Sequence, residues 1–179
     1  MEKFPRKIIV IGTSGCGKTT LASYLSKKLA IKNIDLDDLY WLPNWEHRSD
    51  EDFFNQITEV ISSDEWIVCG NYLKFTKPIW KFADIIIWLD IPLSTCLWRA
   101  LKRSLRRLLN KESCCNGNYE SVARLVGKES ILAWIWKTHL RRKISYNELL
   151  LKNKKSPSLI RLGNKKEIEK FRLFSARKL

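Results

Sequence analysis

The sequence lacks any apolar run long enough to cross a bilayer. Its longest apolar stretches, Ile85 to Leu89 and Ile131 to Trp136, are far below the length that a membrane span needs. The residues before Lys7 contain no apolar segment of the kind found in a secretory signal. We therefore expect a cytoplasmic protein without a membrane partner.

Paired cysteine spacing is also missing. The five cysteines, Cys16, Cys69, Cys96, Cys114 and Cys115, form an odd set without a CxxC pair. This pattern argues against a disulfide framework and against a four-ligand zinc site. We expect free thiols in a reducing compartment.

Acidic residues are scarce relative to basic ones. The chain has 19 Asp and Glu against 33 Lys and Arg, a formal net charge of +14. Such a charge attracts polyanions, either nucleotides or nucleic acid, and does not by itself choose between them. With 45% apolar residues among 179, the chain can bury one sizeable core. We expect a single domain spanning residues 1–179.

The clearest pattern is a strand, a glycine-rich loop and a helix at the start of the chain. The β-branched run from Lys7 to Ile11 is typical of a buried parallel strand. From Lys18 to Ala30, leucines recur every four positions and predict a helix packed on the sheet. The loop between them holds three glycines.

The rest of the chain alternates in the same way. Further strands are predicted at 34–36, 66–69, 85–89 and 158–162, and helices after Ser49, over 94–109, from about 119 to 151 with an interruption near Gly127, and over 165–174. Segment 111–118 is predicted to be a loop. This alternation predicts an α/β protein with a parallel sheet covered on both faces and ligands at the carboxyl ends of the strands.

The helix at 94–109 has two contrasting faces. Leucines at 97, 101, 105 and 108 predict a stripe turned towards the core, and the other side carries only cations. Those cations are Arg99, Lys102, Arg103, Arg106 and Arg107.

The loop matches the phosphate-binding pattern GxxxxGK[ST] at every fixed position. It reads Gly12, Thr13, Ser14, Gly15, Cys16, Gly17, Lys18 and Thr19, with Thr20 following. Glycines allow backbone N–H groups to surround phosphate oxygens, Lys18 reaches the β- and γ-phosphates, and the Thr19 hydroxyl ligates magnesium. The sequence therefore predicts a site for ATP with Mg²⁺. Cys16 inside the loop is either incidental or a redox control point.

On these residues the chain resembles the nucleoside monophosphate kinase-like P-loop proteins, and within them the FlaR-like group associated with DNA topology modulation. Besides the loop, the resemblance rests on segments 36–45, 66–72 and 89–92 and on the arginine-rich helix that follows. It implies a three-layer P-loop fold with five parallel strands in the order 2-3-1-4-5. It also implies a lid-like helical region at about residues 106–145.

The resemblance also implies roles for four arginines. Asp90, Pro92, Arg99 and Arg103 fall in step with the segment where adenylate kinases contact ATP, so Arg99 and Arg103 are expected at the nucleotide. In the lid, Arg141 or Arg142 is expected to reach the transferred phosphoryl group. The alternative for both pairs is a solvated basic helix face.

Asp37 takes the position where related kinases acting on hydroxyl substrates place a carboxylate. Such a group can accept a hydroxyl proton or hold the water shell of magnesium, so we expect Thr19 and Asp37 at the metal. The alternative is an aspartate that caps a helix.

The chain departs from the family pattern after its third strand. Cys69 stands where these kinases carry a magnesium-ordering aspartate, and Leu73 stands near the position of the arginine that binds a monophosphate acceptor. Asp90 is expected to be structural, and Asn164 with Glu167 is expected to cap the last helix rather than to read guanine.

Three functional hypotheses follow. The leading one is an ATP-dependent phosphotransferase for a small acceptor, in which Lys18, Asp37, Arg99 and one of Arg141 and Arg142 act at the reaction centre. The second is an ATP-binding regulator associated with nucleic acid, suggested by the net charge and by Trp134 and Trp136 among basic residues. The third, suggested by Cys69, is a binding protein without turnover. The sequence assigns neither the acceptor nor the oligomeric state.

Overall fold

The computed structural model describes residues 4–127, 130–152 and 157–177. Its strands are β1 (Lys7–Gly12), β2 (Asn33–Asp35), β3 (Trp66–Cys69), β4 (Ile85–Leu89), β5 (Ser113–Cys114), β6 (Asn118–Tyr119) and β7 (Ser158–Leu162). Its α-helices are α1 (Lys18–Leu29), α2 (Leu36–Tyr40), α3 (Asp50–Ile61), α4 (Leu73–Thr76), α5 (Leu93–Asn110), α6 (Val122–Val126), α7 (Ile131–Lys152) and α8 (Lys165–Arg177). Short 3₁₀ helices cover Pro43–Trp45 and Lys77–Phe82. No helix in these ranges is long and apolar enough to span a bilayer.

Five parallel strands form one sheet in the order β2-β3-β1-β4-β7. Counting only the strands of this sheet, that is the predicted order 2-3-1-4-5, which is confirmed. β1 lies in the centre and is buried from Ile8 to Gly12, as its unbroken apolar run predicted. Since β1 is central, the glycine-rich loop that follows it lies in the middle of the sheet edge formed by the carboxyl ends of the strands.

The sheet is covered on both faces. One core cluster packs α1, α5 and α8 against Ile8, Val10 and Ile87, and the other packs α3 and α4 against Ile9 and Trp88. The predicted stripe of α1 is buried, and Ser49 caps α3 by accepting the N–H of Asp52. Three layers of helix, sheet and helix result, as predicted.

The predicted leucine stripe of α5 is only half-buried, and of its members Leu97 packs against the core. The buried residues of α5 are the small side chains of Cys96, Ala100 and Ser104, and Leu105 is 40% exposed. A Cβ built at Gly15 would lie 2.3 Å from the carbonyl oxygen of Cys96. The glycine-rich loop therefore packs directly on α5, and this close approach requires small side chains on the facing side of the helix.

Two boundaries also differ from the sequence prediction. β2 ends at Asp35 because the Asp35 side chain caps α2 by accepting the N–H of Asp37. The predicted loop at 111–118 contains most of a small antiparallel hairpin, in which β5 pairs with β6 across a turn ending at Gly117. The predicted interruption near Gly127 is confirmed, since α6 ends at Val126 and α7 begins at Ile131.

Candidate nucleotide and acceptor site

The glycine-rich loop has the backbone shape of an anion cradle. Gly12, Gly15 and Gly17 have φ angles of +142°, +82° and +105°, which disfavour residues with a Cβ. α1 begins at Lys18, so the partial positive charge of its N-terminus points at the same place. The loop can therefore surround phosphate oxygens with main-chain N–H groups.

Two predicted cations contact this loop. Lys18 Nζ donates to the carbonyl oxygen of Gly12 at 2.9 Å, and Arg99 donates to the carbonyl oxygen of Cys16 at 3.3 Å. The thiol of Cys16 is buried, and burial raises its pKa. Since a buried neutral thiol reacts poorly, the incidental role of Cys16 is favoured over redox control.

The remaining loop residues have different surroundings. Thr13 is buried, and its Oγ1 lies 3.0 Å from Nδ1 of His139 on α7. Burial lowers the pKa of His139. Ser14 lines the adjoining cleft, and Thr20 is exposed on the first turn of α1. The contact between Thr13 and His139 ties α7 to the loop.

Asp35, rather than Asp37, lies beside the expected magnesium ligand. The Thr19 hydroxyl donates to Oδ2 of Asp35 at 2.9 Å. Asp37 points elsewhere, and its Oδ1 accepts from the Tyr72 hydroxyl at 2.7 Å. The helix-capping role considered for Asp37 also belongs to Asp35, whose Oδ1 accepts the N–H of Asp37 at 3.1 Å. Asp35 thus lies beside Thr19 and also caps α2, whereas the catalytic role expected for Asp37 stays a prediction.

A carboxylate of the neighbouring strand lies beside the end of β3, where the sequence has Cys69. Cys69 and Asp35 are paired in register across β3 and β2. Burial raises the pKa of the Cys69 thiol, and the nearby negative charge of Asp35 raises it further. The thiol is therefore neutral, whereas the Thr19 hydroxyl and the Asp35 carboxylate form the hard oxygen pair that suits Mg²⁺.

A cleft of about 750 Å³ opens in front of the loop, which is large enough for a nucleotide-sized ligand. Its lining includes Lys18, Asp37, Arg103 and Arg142. Side chains from α2, α4, α5, α6 and α7 reach it, together with the turn after β5. The cleft therefore joins the loop to Asp37 in one space.

Two arginines of the cleft carry buried N–H groups without a partner in the described parts of the chain. These groups are Nε of Arg103 and Nη1 of Arg142. The guanidinium of Arg142 lies 5.5 Å from the ring centre of Trp134, and its burial lowers its pKa. Arg141 is exposed on α7 and does not line the cleft. Of the two lid candidates, Arg142 is the one placed to meet an anion.

Other predicted residues have structural roles. Asp90 is buried and pairs with Arg161 and with Lys143 Nζ at 3.4 Å, as expected for a structural carboxylate. Asn164 Oδ1 accepts the N–H of Glu167 at 3.0 Å, which matches the predicted cap of α8.

Sequence reasoning missed Asn71. Its Oδ1 accepts from the Gly12 N–H at 3.1 Å and from the Tyr146 hydroxyl at 3.2 Å, so it connects the start of the loop to α7. The available signal was its place just beyond β3, at the sheet edge where ligands bind in α/β proteins.

A family model described as an AAA domain matches residues 8–114, more than half of the chain. The chain belongs to the AAA domain family. The match to this AAA domain runs from β1 to β5 and so includes the loop, Asp35, Asp37 and the arginines of α5.

Curated relatives are similar over part of their length. The uncharacterized protein YqaC of Bacillus subtilis (strain 168) is 26% identical over 117 residues, which is 64% of this chain and 66% of YqaC. A shikimate kinase of Rhodopirellula baltica is 38% identical over 59 residues, which is 33% of this chain and 30% of that kinase. The chain thus spans slightly less than two thirds of the first relative and under a third of the second.

Solved kinase structures share the fold over nearly the whole chain. A shikimate kinase from Bacteroides thetaiotaomicron has a TM-score of 0.59 at 16% identity and covers 98% of this chain and 100% of its own. A shikimate kinase from Acinetobacter baumannii in complex with shikimate has a TM-score of 0.56 at 20% identity, covering 99% and 97%. A gluconokinase from Sinorhizobium meliloti 1021 has a TM-score of 0.54 at 14% identity, covering 99% and 93%. These likenesses show the fold of P-loop kinases.

Proposed function

We propose that the protein is an ATP-dependent phosphotransferase that moves the γ-phosphoryl group of ATP to a hydroxyl group of a small acceptor. The observation that carries this proposal is the shared cleft, which is lined by Lys18, Asp37, Arg103 and Arg142 and in which the two arginines have N–H groups without a partner among the described residues. Arginine N–H groups left without partners in a cleft are suited to the charge of a transferred phosphoryl group.

In this proposal two carboxylates have different tasks: Asp37 accepts a proton, and Asp35 helps to hold magnesium. The acceptor hydroxyl oxygen forms a bond to the γ-phosphorus, the bond to the β,γ-bridging oxygen breaks with its electron pair leaving on ADP, and the hydroxyl proton passes to Asp37. The Tyr72 hydroxyl, which donates to Asp37 at 2.7 Å, orients this carboxylate. Magnesium held by Thr19 and Asp35 would neutralise charge on the β- and γ-phosphates.

Cations around the loop stabilise the charge of the transferred group. Lys18, which contacts the carbonyl oxygen of Gly12, swings to the β- and γ-phosphates, while Arg99 remains at the loop backbone. Arg103 and Arg142 approach from α5 and α7. In this proposal the lid-like region at about 106–145 contributes Arg142 and covers the cleft.

Narrower features of the proposal have separate support. The five cysteines are free thiols, which favours a cytoplasmic setting. A relationship to the FlaR-like group is supported by the order of the sequence segments that resemble it. The nucleic-acid hypothesis stays a prediction.

The test is a transfer assay with ATP labelled on the γ-phosphate, Mg²⁺ and a panel of nucleosides, sugars, hydroxy acids and nucleotides. We expect a labelled product and one ADP for each phosphoryl group moved. ATP affinity is measured in parallel by calorimetry. ATP binding without transfer to any acceptor would contradict the proposal.

Two matched variants separate the carboxylates. Asp35→Asn should raise the Mg²⁺ concentration needed for half-maximal activity, because it removes the charge beside Thr19. Asp37→Asn should lower kcat and leave the Mg²⁺ requirement unchanged. If both variants shifted the Mg²⁺ requirement equally, the division of roles would be wrong.

A further inference from the structure

One end of the cleft is lined by aromatic side chains. These are Tyr40, Trp41, Trp45, Tyr72 and Phe75, which we call the aromatic wall. Ring centres are 5.3 Å apart for Tyr40 and Trp41, 4.8 Å for Tyr40 and Tyr72, and 5.5 Å for Trp41 and Trp45. Four of these rings therefore contact one another in a row, edge-to-face or tilted, and Phe75 lines the same cleft.

The aromatic wall lies next to the proposed proton acceptor. Tyr40 and Asp37 share the short helix α2, and Tyr72 contacts Asp37 through its hydroxyl. In the sheet, β2 and β3 lie on one side of β1, whereas β4, which leads into α5, lies on the other. A hydroxyl group held at Asp37 would therefore place the rest of its molecule beside these rings.

Cations that reach this end of the cleft already have partners. Arg107 lies 3.9 Å from Glu120, Lys74 pairs with Asp50, and the guanidinium of Arg124 lies 4.1 Å from the ring centre of Trp45. By contrast, Arg103 and Arg142 have buried N–H groups that find no partner within the described ranges and can pair with an anion. The charge arrangement favours anion binding at the phosphoryl group and an aromatic surface for the acceptor.

We propose that the acceptor is an alcohol bearing a planar unsaturated ring, with a nucleoside as the representative probe. This inference rests on the proposed function and names the substrate class of the same site. The ring packs on the aromatic wall, since aromatic side chains stack with the planar ring of any nucleobase and this stacking depends little on the polar groups of the base. The alcohol oxygen lies at Asp37 and receives the phosphoryl group, so the product is a phosphate monoester and ADP.

The experiment compares acceptors and two tryptophan variants. Nucleosides should be phosphorylated with a kcat/KM at least tenfold above that of ring-free polyols and hydroxy acids. Trp41→Leu should raise the KM for nucleoside about tenfold with the KM for ATP unchanged, and Trp41→Phe, which keeps a ring, should restore most of the loss. Trp136→Leu is the matched control, because Trp136 is 67% exposed on α7 and does not line the cleft.

Three results would overturn the inference. The first is a preference for ring-free acceptors, and the second is an equal change in KM for Trp41→Leu and Trp136→Leu. The third is transfer to nucleoside monophosphates with a diphosphate as product, which would make a phosphate oxygen the nucleophile. If Trp41→Leu does not fold, nucleoside binding to the unaltered protein is measured by calorimetry in the presence of a non-hydrolysable ATP analogue. Absence of binding would then contradict the inference. Failure of the proposed function differs, because no acceptor of any kind would then be phosphorylated.

Discussion

The two ends of the cleft are built in different ways. The cradle at the phosphate end consists of consecutive residues between β1 and α1, which supply backbone N–H groups and Lys18. The aromatic end is assembled from α2, the segment after it, and the segment after β3, with the β5–β6 hairpin against it. The cradle itself therefore depends mostly on local backbone conformation, whereas the aromatic end depends on contacts between distant segments.

The hairpin shows how the aromatic end is held. Asn118 is buried. Its Oδ1 accepts from the backbone N–H of Trp45 at 2.7 Å, and its Nδ2 donates to the carbonyl oxygen of Leu42 at 2.8 Å. The indole N–H of Trp45 donates to the carbonyl oxygen of Tyr119 at 2.9 Å. These hydrogen bonds attach the hairpin to the aromatic wall at Trp45. A substitution that removes them should therefore raise the KM for the acceptor more than the KM for ATP.

The largest effect is expected for Lys18→Ala. Loss of the ammonium group removes stabilisation of the developing phosphoryl charge, so kcat/KM should fall about 1,000-fold. Steady-state transfer assays measure this. Lys28→Ala, at an exposed position in the last turn of α1, is the control and should change little. A similar loss in both variants would show that the loop lysine has no special role.

Gly15→Ala should abolish ATP binding and reduce the free energy of unfolding by about 2–4 kcal/mol, through left-handed backbone strain plus the clash with α5. Gly117→Ala is a matched control, because Gly117 has a φ of +85°, close to the +82° of Gly15, and nothing lies within 4 Å of its built Cβ. It should cost about 1 kcal/mol, from strain alone, and leave ATP affinity intact. Calorimetry and urea unfolding provide the measurements. Equal costs at the two positions would mean that the contact with Cys96 does not constrain the loop.

Asn118→Ala should weaken binding of the acceptor and spare ATP, whereas Gly15→Ala should abolish ATP binding. It removes the amide that joins the hairpin to Trp45 and Leu42, which should cost about 1–3 kcal/mol of stability. The KM for the acceptor should rise about fivefold, equivalent to roughly 1 kcal/mol, with ATP affinity unchanged. Asn110→Ala, at an exposed residue bonded to Glu112, serves as the control. A change in ATP affinity without a change in acceptor KM would break the contrast between the two ends.

The smallest effect concerns His139, whose pKa is lowered from 6.5 by burial. Because the unfolded chain binds the proton more readily, the free energy of unfolding should fall as the pH drops through 6.5 and should level off below the folded-state pKa. In His139→Gln, the free energy of unfolding should lack this fall with decreasing pH. Urea unfolding at several pH values between 5 and 8 compares the two proteins. Parallel pH profiles would show that burial does not lower the pKa of His139 in the folded protein.

Most of the fold could be predicted because three strands of the sheet, β1, β3 and β4, are largely apolar runs and the loop carries a fixed spacing. β1, β3, β4 and β7 lie where the runs indicate, and the order of the sheet is confirmed. The stripe of α5 could not be predicted, because leucine periodicity does not reveal that a glycine loop packs on the helix at Cys96. The predicted roles of the site residues remain to be tested by the variants above.

The sequence by itself determined the phosphate cradle, because the glycines, Lys18 and Thr19 act within one short stretch whose spacing decides the backbone shape. Only the tertiary structure decided which carboxylate lies at Thr19, which arginines face the cleft and where the aromatic rings meet. Asp35 takes the place that a β3 carboxylate would occupy because β2 pairs with β3 in a register that brings it beside Cys69. Such a position depends on how separate strands align in space, and residue spacing along one segment does not contain that information.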